Sequence, residues 1–212
     1  MRTDPDRNIY LASRSPRRRE LLAQIGVRFQ LLLLRASPHA DPEVDEAVLG
    51  AESAHEYVRR VSRAKAEAGW RRVLQRGLPR APVLAADTTV TLDGRILSKP
   101  ADRRQAAQML GALSGRRHEV LTAVAVKHDE RLELAVSASE VEFRPLSAEE
   151  IGNYLASGEA DDKAGAYAIQ GLAARFVRGM RGSYSGVVGL PLYETAQLLE
   201  RLGTPHERRN PH

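Results

Sequence analysis

The sequence predicts an α/β protein whose mixed, twisted sheet carries flanking helices. Helical patterns alternate with short apolar runs along the chain, which is typical of α/β folds. Two long strand-like stretches, 120–126 and 132–143, follow each other closely, and an Asp93-Gly94 turn joins two shorter ones. Such close neighbours pair antiparallel, so the sheet cannot be purely parallel. A chain of 212 residues accommodates one body with two lobes around a central cleft.

The helices are predicted from their capping residues and from apolar positions at helical spacing. Ser15 before Pro16 is a strong helix start. Asp102 is a good N-cap, and Ser147 with Glu150 forms a capping box. The predicted helices span 16–26, 53–70, 102–115, 147–158 and 191–203.

The strands are predicted from apolar or alternating runs bounded by turn residues. They span 8–12, 27–34, 82–90, a hairpin over 90–97, 120–126 and 132–143, with further short apolar strands before Gly189. Between 35 and 50, Pro, Asp and Glu indicate a surface loop. Residues 1–205 are therefore expected to form a single domain, with a frayed tail at 206–212.

Composition narrows the class of protein. The chain has no cysteine, which excludes disulfides and thiolate metal sites. No apolar run approaches the roughly 20 residues that cross a bilayer, and the N-terminus lacks a signal-peptide core, so we expect a cytoplasmic protein with no membrane partner. A net charge of +5 favours anionic partners, although a solvated basic surface is the alternative for many of the arginines.

The candidate site centres on Asp87, which the sequence places at the end of an apolar strand. In open α/β sheets ligands bind beyond the carboxyl ends of strands. Arg17 and Arg18 lie in the first turn of a helix, where cations oppose the helix dipole unless an anion also binds there. This arrangement predicts a phosphate site. No phosphate loop, dinucleotide fingerprint or metalloprotease motif is present.

Further charged residues are candidates for the same site. Lys65 lies at the edge of an apolar helix stripe, where a lysine normally extends its ammonium into water. Lysines could neutralise the charge of a polyphosphate. Carboxylates suit a Mg²⁺ ion that is shared with a triphosphate. The candidate cations are Lys65, Lys99 and Lys163, and the candidate metal ligands are Glu46, Asp87 and Asp162. His118 is interpreted as a structural hydrogen-bonding residue.

Several motifs, in order, resemble the Maf family of nucleoside triphosphate pyrophosphatases. They are Leu11-Ala12-Ser13-x-Ser15-Pro16-Arg17-Arg18, Ala86-Asp87-Thr88, Lys99-Pro100, Leu113-Ser114-Gly115-x-x-His118-x-Val120-x-Thr122-Ala123 and Asp162-Lys163-Ala164-Gly165-Ala166-Tyr167-x-Ile169-Gln170-Gly171. The resemblance implies a fold related to the inosine-triphosphate pyrophosphatases. It also implies a divalent metal cofactor, Mg²⁺ or Mn²⁺, and cleavage between the α- and β-phosphates.

The resemblance also assigns roles to residues. Asp87 matches the proton acceptor of the family. Phosphate-binding positions correspond to Ser13, Arg17, Arg18, Lys65, Lys99 and Lys163, metal positions to Glu46, Asp87 and Asp162, and base-specificity positions to Arg17, Thr88 and Gln170. The Ile169-Gln170-Gly171 form resembles the branch that acts on dTTP and UTP. A glutamine amide both donates and accepts, which suits the edge of uracil or thymine.

Three alternatives remain open from the sequence. The first is a pyrophosphatase for 7-methyl-GTP or for a broader set of nucleotides. The second is a basic nucleic-acid-binding regulator, although aromatic residues total only 5% and offer no stacking platform. The third is an interaction protein acting in septum formation. A nucleoside triphosphate partner is expected, with no stable nucleic-acid partner, and a homodimer is among the assemblies the sequence allows.

Overall fold

A seven-stranded sheet forms the centre of the fold. The computed structural model describes residues 9–32 and 44–203. Within that part of the chain the strands are β1 (Ile9–Leu11), β2 (Phe29–Leu31), β3 (Val83–Leu92), β4 (Arg95–Leu97), β5 (Arg117–His128), β6 (Arg131–Phe143) and β7 (Val177–Arg181). Their spatial order is β2-β1-β3-β5-β6-β7, with β4 also paired to β3.

The predicted mixed sheet is confirmed by the strand pairing. β1 runs parallel to both β2 and β3, whereas β3–β4, β3–β5, β5–β6 and β6–β7 are antiparallel. β5 and β6 form a long hairpin, in register from Arg117 opposite Glu142 to His128 opposite Arg131. The Asp93-Gly94 turn joins β3 to β4 as expected, with φ of 51° at Asp93.

Six α-helices lie in the described residues. They are α1 (Pro16–Gln24), α2 (Ala54–Gln75), α3 (Arg103–Leu113), α4 (Ala148–Ala156), α5 (Tyr184–Val188) and α6 (Leu192–Arg201). The capping prediction for Ser147 is confirmed, because its hydroxyl accepts from Glu150 N and the Glu150 carboxylate accepts from Ser147 N. Asp102 caps α3 by accepting from Gln105 N. None of these helices combines the length and hydropathy that crossing a bilayer requires.

The sheet separates two apolar layers, and alternate residues of β3 contribute to each. Val83 and Ala85 pack with Trp70 of α2 on one face. Leu84 and Ala86 belong to the larger cluster on the other face, which includes residues of α1, α3, α4 and α6. This alternation follows from the two-residue period of a strand, and it determines which layer each site residue of β3 meets.

Some predicted boundaries are wrong. Of the strand predicted over 27–34, β2 covers only Phe29–Leu31 within the described residues, and 33–34 lie outside them, whereas α2 runs on past residue 70 to residue 75. The short apolar strands expected before Gly189 are replaced by two 3-10 turns, the single strand β7 and the short helix α5. The predicted tail at 206–212 and most of the predicted loop at 35–50, residues 35–43, lie outside the described residues.

Candidate active site

One cavity of about 600 Å³ is lined by every residue that the sequence placed in the site. These residues come from α1, α2, β3 and loops far apart in the chain. They are Ser13, Arg17, Arg18, Glu46, Lys65, Asp87, Thr88, Lys99, Asp162, Lys163 and Gln170. The predicted convergence of distant motifs into one cleft is thus observed, while the chemical role of each residue stays a prediction.

The cavity opens where the edge of β3 is left unpaired. β5 occupies one edge of β3 along nearly its whole length. On the other edge, β1 pairs only with Val83 and Leu84, and β4 pairs only from Val90 onward. The expectation that Asp87 lies at the carboxyl end of its strand is therefore wrong, since Asp87 is in the middle of β3, which continues to Leu92. Asp87 is reached through the gap between β1 and β4.

Asp87 and Thr88 are directed to opposite faces of the sheet because they are successive residues of one strand. Asp87 continues the row that faces α2, and its Oδ1 accepts a hydrogen bond of 2.7 Å from Lys65 Nζ. Thr88 faces the other layer, where it meets Arg18 of α1 and Thr122 of β5. The cavity thus wraps around the open edge of β3.

Lys65 joins the two carboxylates of the site. Its Nζ lies 2.7 Å from Asp87 Oδ1 and 2.8 Å from Glu46 Oε1. The expectation that Lys65 extends its ammonium into water is wrong. Burial alone would lower the pKa of Lys65, but the two carboxylates outweigh burial and raise it. The ammonium is therefore held in its charged form at the bottom of the cavity.

Glu46 belongs to the same ion cluster. Burial would raise its pKa, but Lys65, Lys99 and Arg18 together lower it below the usual range. Lys99 contributes from a distance of 3.8 Å and remains largely exposed. The Tyr57 hydroxyl donates to the Glu46 carbonyl at 3.1 Å, which anchors this segment to α2.

Arg18 connects three parts of the chain around the cavity. Its Nε donates to Gly189 O at 2.7 Å, its Nη1 to Ser13 Oγ at 3.3 Å and its Nη2 to Thr88 Oγ1 at 3.2 Å. Burial lowers the pKa of the guanidinium, and the nearby Asp87 carboxylate opposes that shift only in part. Arg18 therefore has a positioning function in the fold beside any contact with phosphate. Arg17, half-buried, lines the cavity beside it.

The Gln170 loop is held from behind by Glu159. The Glu159 carboxylate accepts from Leu172 N at 2.8 Å, from Ala173 N at 3.4 Å and from the Tyr154 hydroxyl at 3.0 Å. A Cβ placed on Gly171 would lie 2.1 Å from that carboxylate, so only glycine fits this approach. Gln170 is consequently exposed at the cavity with its backbone anchored.

Asp162 and Lys163 also line the cavity. Asp162 has a φ of 59°, and its carboxylate contacts the Lys163 ammonium. No group of three or more His, Asp or Glu side chains close enough to hold a metal occurs within 9–32 and 44–203. Glu46 and Asp87 lie close together, because both carboxylates contact the same Lys65 ammonium. This pair suits Mg²⁺, which commonly takes one or two protein carboxylates and completes its shell with phosphate oxygens and water.

His118 is structural, as expected. Its Nε2 lies 2.8 Å from the Tyr167 hydroxyl, and its ring packs edge-on against Phe143. Burial lowers the pKa of His118 from 6.5 to about 4, so the ring is neutral near pH 7. The side chain supports the wall of the cavity from the apolar side.

Sequence reasoning missed three residues that organise the site. Thr122, Glu159 and Gly189 bond to predicted site residues or hold their loops. Thr122 lies within one of the motifs that carry the family resemblance, but nothing in its spacing indicates which residue it contacts. Only the register of β3 against β5 places it opposite Thr88.

The fold and the cleft define an α/β protein that can surround a polyanion with cations while presenting a carboxylate to it. The chain belongs to the Maf family, because the family model described as Maf-like protein matches residues 8–202.

Relatives and a solved structure resemble the chain to different degrees. It is 58% identical over 195 residues to the dTTP/UTP pyrophosphatase of Nitrosomonas europaea, which covers 92% of this chain and 94% of that protein. It is 56% identical over 198 residues to the dTTP/UTP pyrophosphatase of Aromatoleum aromaticum, covering 93% and 96%. The structure of the Staphylococcus aureus Ham1 protein aligns with a TM-score of 0.46 and 14% identity, over 64% of this chain and 71% of that one.

Proposed function

We propose that the protein is a nucleoside triphosphate pyrophosphatase that hydrolyses dTTP and UTP to the monophosphate and pyrophosphate. Relatives bearing that activity in their names match over nine-tenths of the chain. The observation that carries the proposal is the convergence of Asp87, the ion cluster around Lys65 and the cations Arg17, Lys99 and Lys163 in one cavity. Removal of such triphosphates, including modified pyrimidine nucleotides, is a house-cleaning role.

Asp87 acts as the general base in this proposal. Its Oδ1 is engaged by Lys65, so Oδ2 takes the proton from the attacking water. Lys65 keeps the carboxylate oriented toward the cavity through that hydrogen bond. Because geometry of this kind places base and phosphate together, it supplies much of the rate in phosphoryl chemistry.

Cations on the cavity walls stabilise the pyrophosphate leaving group. Arg17, Lys99 and Lys163 line the same cavity as Asp87. Fixed positive charges aimed at the developing negative charge are commonly the largest contribution to such reactions. Ser13 adds a hydroxyl beside the start of α1, where free backbone N–H groups favour an anion.

The proposal includes Mg²⁺ or Mn²⁺ bound between protein carboxylates and the triphosphate. Glu46 and Asp87 are the residues suited to hold it, and Asp162, which lines the same cavity, is the third proposed ligand. When bound, the ion neutralises phosphate charge and polarises the phosphoryl oxygens. Base preference is proposed to rest on Arg17, Thr88 and Gln170.

Under this proposal the protein works in the cytoplasm, where its substrates are made. Its partners are the nucleotide and the divalent metal, and the chemistry requires no nucleic acid. The predicted homodimer stays a prediction, which sedimentation equilibrium would measure.

The test of the function is pyrophosphate release from a panel of triphosphates. We expect turnover of UTP and dTTP with Mg²⁺ or Mn²⁺ and none in excess EDTA. The panel includes CTP, GTP, ATP and 7-methyl-GTP. Preference for 7-methyl-GTP would contradict the proposed base preference, whereas the absence of turnover with every nucleotide would contradict the enzymatic function.

Replacing the proposed base tests the mechanism. We expect Asp87→Asn to reduce kcat by about 10³-fold, because the amide cannot take the proton, while Lys65 retains Glu46 as partner. Steady-state kinetics with UTP measure the loss, and circular dichroism checks the fold. The matched control is Asp129→Asn in the β5–β6 turn, which is expected to leave kcat unchanged. Equal kcat in Asp87→Asn and wild type would assign the base to another group.

A further inference from the structure

The segment that carries Glu46 has no regular secondary structure of its own. Residues 44–53 form neither helix nor strand. Their backbone groups therefore need partners elsewhere, because an unpaired peptide group is costly when it is shielded from water. Three consecutive carbonyls of this segment, at residues 45–47, accept hydrogen bonds from side chains of α2. The Glu46 side chain also contacts α2, through Lys65 Nζ.

Arg60 of α2 holds the peptide groups on both sides of Glu46. Its Nη1 donates to Asp45 O at 2.8 Å, and its Nη2 donates to Ala47 O at 2.7 Å. Between these two bonds, the Tyr57 hydroxyl donates to Glu46 O. Tyr57 and Arg60 are three residues apart on α2 and so are neighbours on the helix surface. The guanidinium carbon lies 5.6 Å from the centre of the Tyr57 ring.

Glu52 fixes the direction of the Arg60 guanidinium. Its two carboxylate oxygens accept from Nε at 3.0 Å and from Nη2 at 2.6 Å, which is the bidentate geometry that gives such pairs their directionality. Four of the five N–H groups of Arg60 are thus engaged: one on Nε, both on Nη2 and one on Nη1. A lysine cannot reproduce this pattern, because its ammonium lacks the planar fork.

Arg60 is not among the residues that line the cavity, whereas Glu46 and Lys65 are. Its effect on a bound nucleotide must therefore pass through the position of Glu46. We infer that Arg60 is a positioning residue: anchored by Glu52, it fixes the backbone on both sides of Glu46 and so holds the Glu46 carboxylate at Lys65, ready for the proposed divalent metal. The kinetic consequence rests on the proposed function, but the effect on the segment does not.

The expected consequence is a change in population. Without the two bonds from Arg60, Glu46 is in its place for only a fraction of the time. A ligand that needs this arrangement then binds more weakly in proportion to that fraction, while the fully bound complex is unchanged. Loss of Arg60 is therefore expected to weaken metal use more than it lowers turnover at saturating metal.

The experiment compares Arg60→Met with Arg59→Met, its neighbour on α2. Methionine keeps an unbranched stem and a high helix propensity but removes every donor. Arg59 is exposed, so the control removes the same charge one position away. Arg60→Lys is the third variant, because it keeps the charge without the fork.

The first measurement is amide hydrogen exchange in protein free of metal and nucleotide. We expect residues 44–53 to exchange about tenfold faster in Arg60→Met, since two bonds from a charged donor are lost. Arg59→Met should exchange at the wild-type rate. This measurement does not depend on any catalytic activity.

The second measurement is the Mg²⁺ dependence of UTP hydrolysis. We expect the half-saturating Mg²⁺ concentration to rise by about tenfold in Arg60→Met, with kcat at saturating Mg²⁺ within about threefold of wild type. Arg60→Lys should show most of both changes. Full recovery in Arg60→Lys would assign the effect to charge and overturn the role of the two carbonyl bonds.

Other results would also overturn the inference. They are unchanged exchange in Arg60→Met, faster exchange with an unchanged Mg²⁺ dependence, and equal changes in Arg59→Met. Should Arg60→Met fold poorly in thermal unfolding, Glu52→Gln weakens the anchor of Arg60 and must shift both measurements in the same direction. Wild type inactive on all triphosphates would refute the proposed function, and hydrogen exchange alone would then decide whether Arg60 holds the segment.

Discussion

Lys65 shows how single residues set the electrostatics of the cleft. A buried ammonium is costly unless it is paired and hydrogen-bonded. Lys65 meets this requirement with two acids, Glu46 and Asp87, which arrive from a loop and from β3. Each of the three charges therefore depends on the other two for its position. The ion cluster fixes Glu46 and Asp87 relative to each other, and so fixes the position of the proposed base.

His118 predicts a pH dependence of stability at the residue level. Burial lowers its folded-state pKa from 6.5 to about 4, so the unfolded chain takes up a proton first as the pH falls. Stability is therefore expected to decline between about pH 6.5 and pH 4, by up to about 3 kcal/mol, and to level off below that range. Urea unfolding across this pH range measures the decline.

Variants separate His118 from the other groups that titrate at acidic pH. His118→Gln removes the titrating ring, so we expect a shallower decline than in wild type. His55→Gln, at an exposed position on α2, is the matched control and should keep the wild-type slope. Equal slopes in all three proteins would show that protonation of His118 is not coupled to unfolding.

The sequence predicts the identity of site residues better than their contacts. Asp87, Arg18 and Gln170 were assigned to the cleft from motifs and do line it. The direction of the Lys65 side chain was not predictable, because helical spacing gives its position on α2 but not the two carboxylates that draw its ammonium inward. The contact of Thr122 with Thr88 was not predictable for a similar reason, since the two residues lie on different strands.

At the level of elements, the segment that carries Gln170 depends on a glycine. Gly171 lies against the Glu159 carboxylate, which holds the backbone of the next two residues. Gly165, with a φ of 67°, brings the same segment against Val90 of β3. The loop is thus held from two sides without a regular helix or strand.

Gly171→Ala tests whether this anchoring positions Gln170. The added methyl would lie 2.1 Å from Glu159, so the loop or the carboxylate must move. We expect kcat/KM for UTP to fall by about tenfold or more, since an ångström of misplacement is costly to catalysis. Gly179→Ala on β7, with nothing within 4 Å of the added methyl, is the control and should retain activity. Equal kcat/KM for UTP in both variants would show that the anchoring of this loop by Gly171 does not affect turnover.

Elements with local signals were predicted well. α3 and α4 begin at their predicted caps because the capping hydrogen bonds lie within four residues of sequence. The segment from 159 to 189 was not predicted well, since its turns depend on contacts with β3 and with Glu159. Glycines in this segment allow the backbone to approach neighbouring side chains closely or to adopt a positive φ, and the spacing of apolar residues does not reveal either requirement.

At the level of the whole molecule, the sheet couples two apolar layers that have no side chains in common. Residues of α2 pack on one face, and the five other helices contribute residues to the opposite face. β3 contributes alternate residues to both layers, with Val83 and Leu84 as neighbouring examples. We therefore expect the layers to unfold together in one cooperative transition.

Gly69→Ala tests this coupling. Gly69 lies on α2, and its added methyl would be 2.7 Å from Val83 Cγ1, so overpacking should lower the free energy of unfolding by about 1–3 kcal/mol. The fluorescence of Trp70, the only tryptophan of the chain, reports on the α2 layer, while circular dichroism reports on all helices. Both midpoints in urea should shift equally.

The matched control lies on the other layer. Gly111→Ala, at an exposed position of α3 with nothing within 4 Å, should raise stability by about 0.4–1 kcal/mol. A shift of the fluorescence midpoint alone in Gly69→Ala would mean that the α2 layer unfolds independently of the rest.

The mixed character of the sheet was predictable, whereas its strand order was not. Short connections indicate antiparallel neighbours such as β5 and β6. Nothing local indicates that β1 inserts between β2 and β3, or that its short length leaves the edge of β3 open. The position of the cleft follows from that gap. The sequence therefore predicts that a cleft exists, but not where it lies on the sheet.

The bond from Arg18 to the Gly189 carbonyl spans 171 positions along the chain. During synthesis, Arg18 of α1 cannot form this bond until Gly189 has been added, when most of the polypeptide has been made. The long β5–β6 hairpin, by contrast, can pair as soon as it emerges, because its two strands are adjacent in sequence. We therefore expect contacts between β5 and β6 to form in nascent chains before the nucleotide pocket is complete.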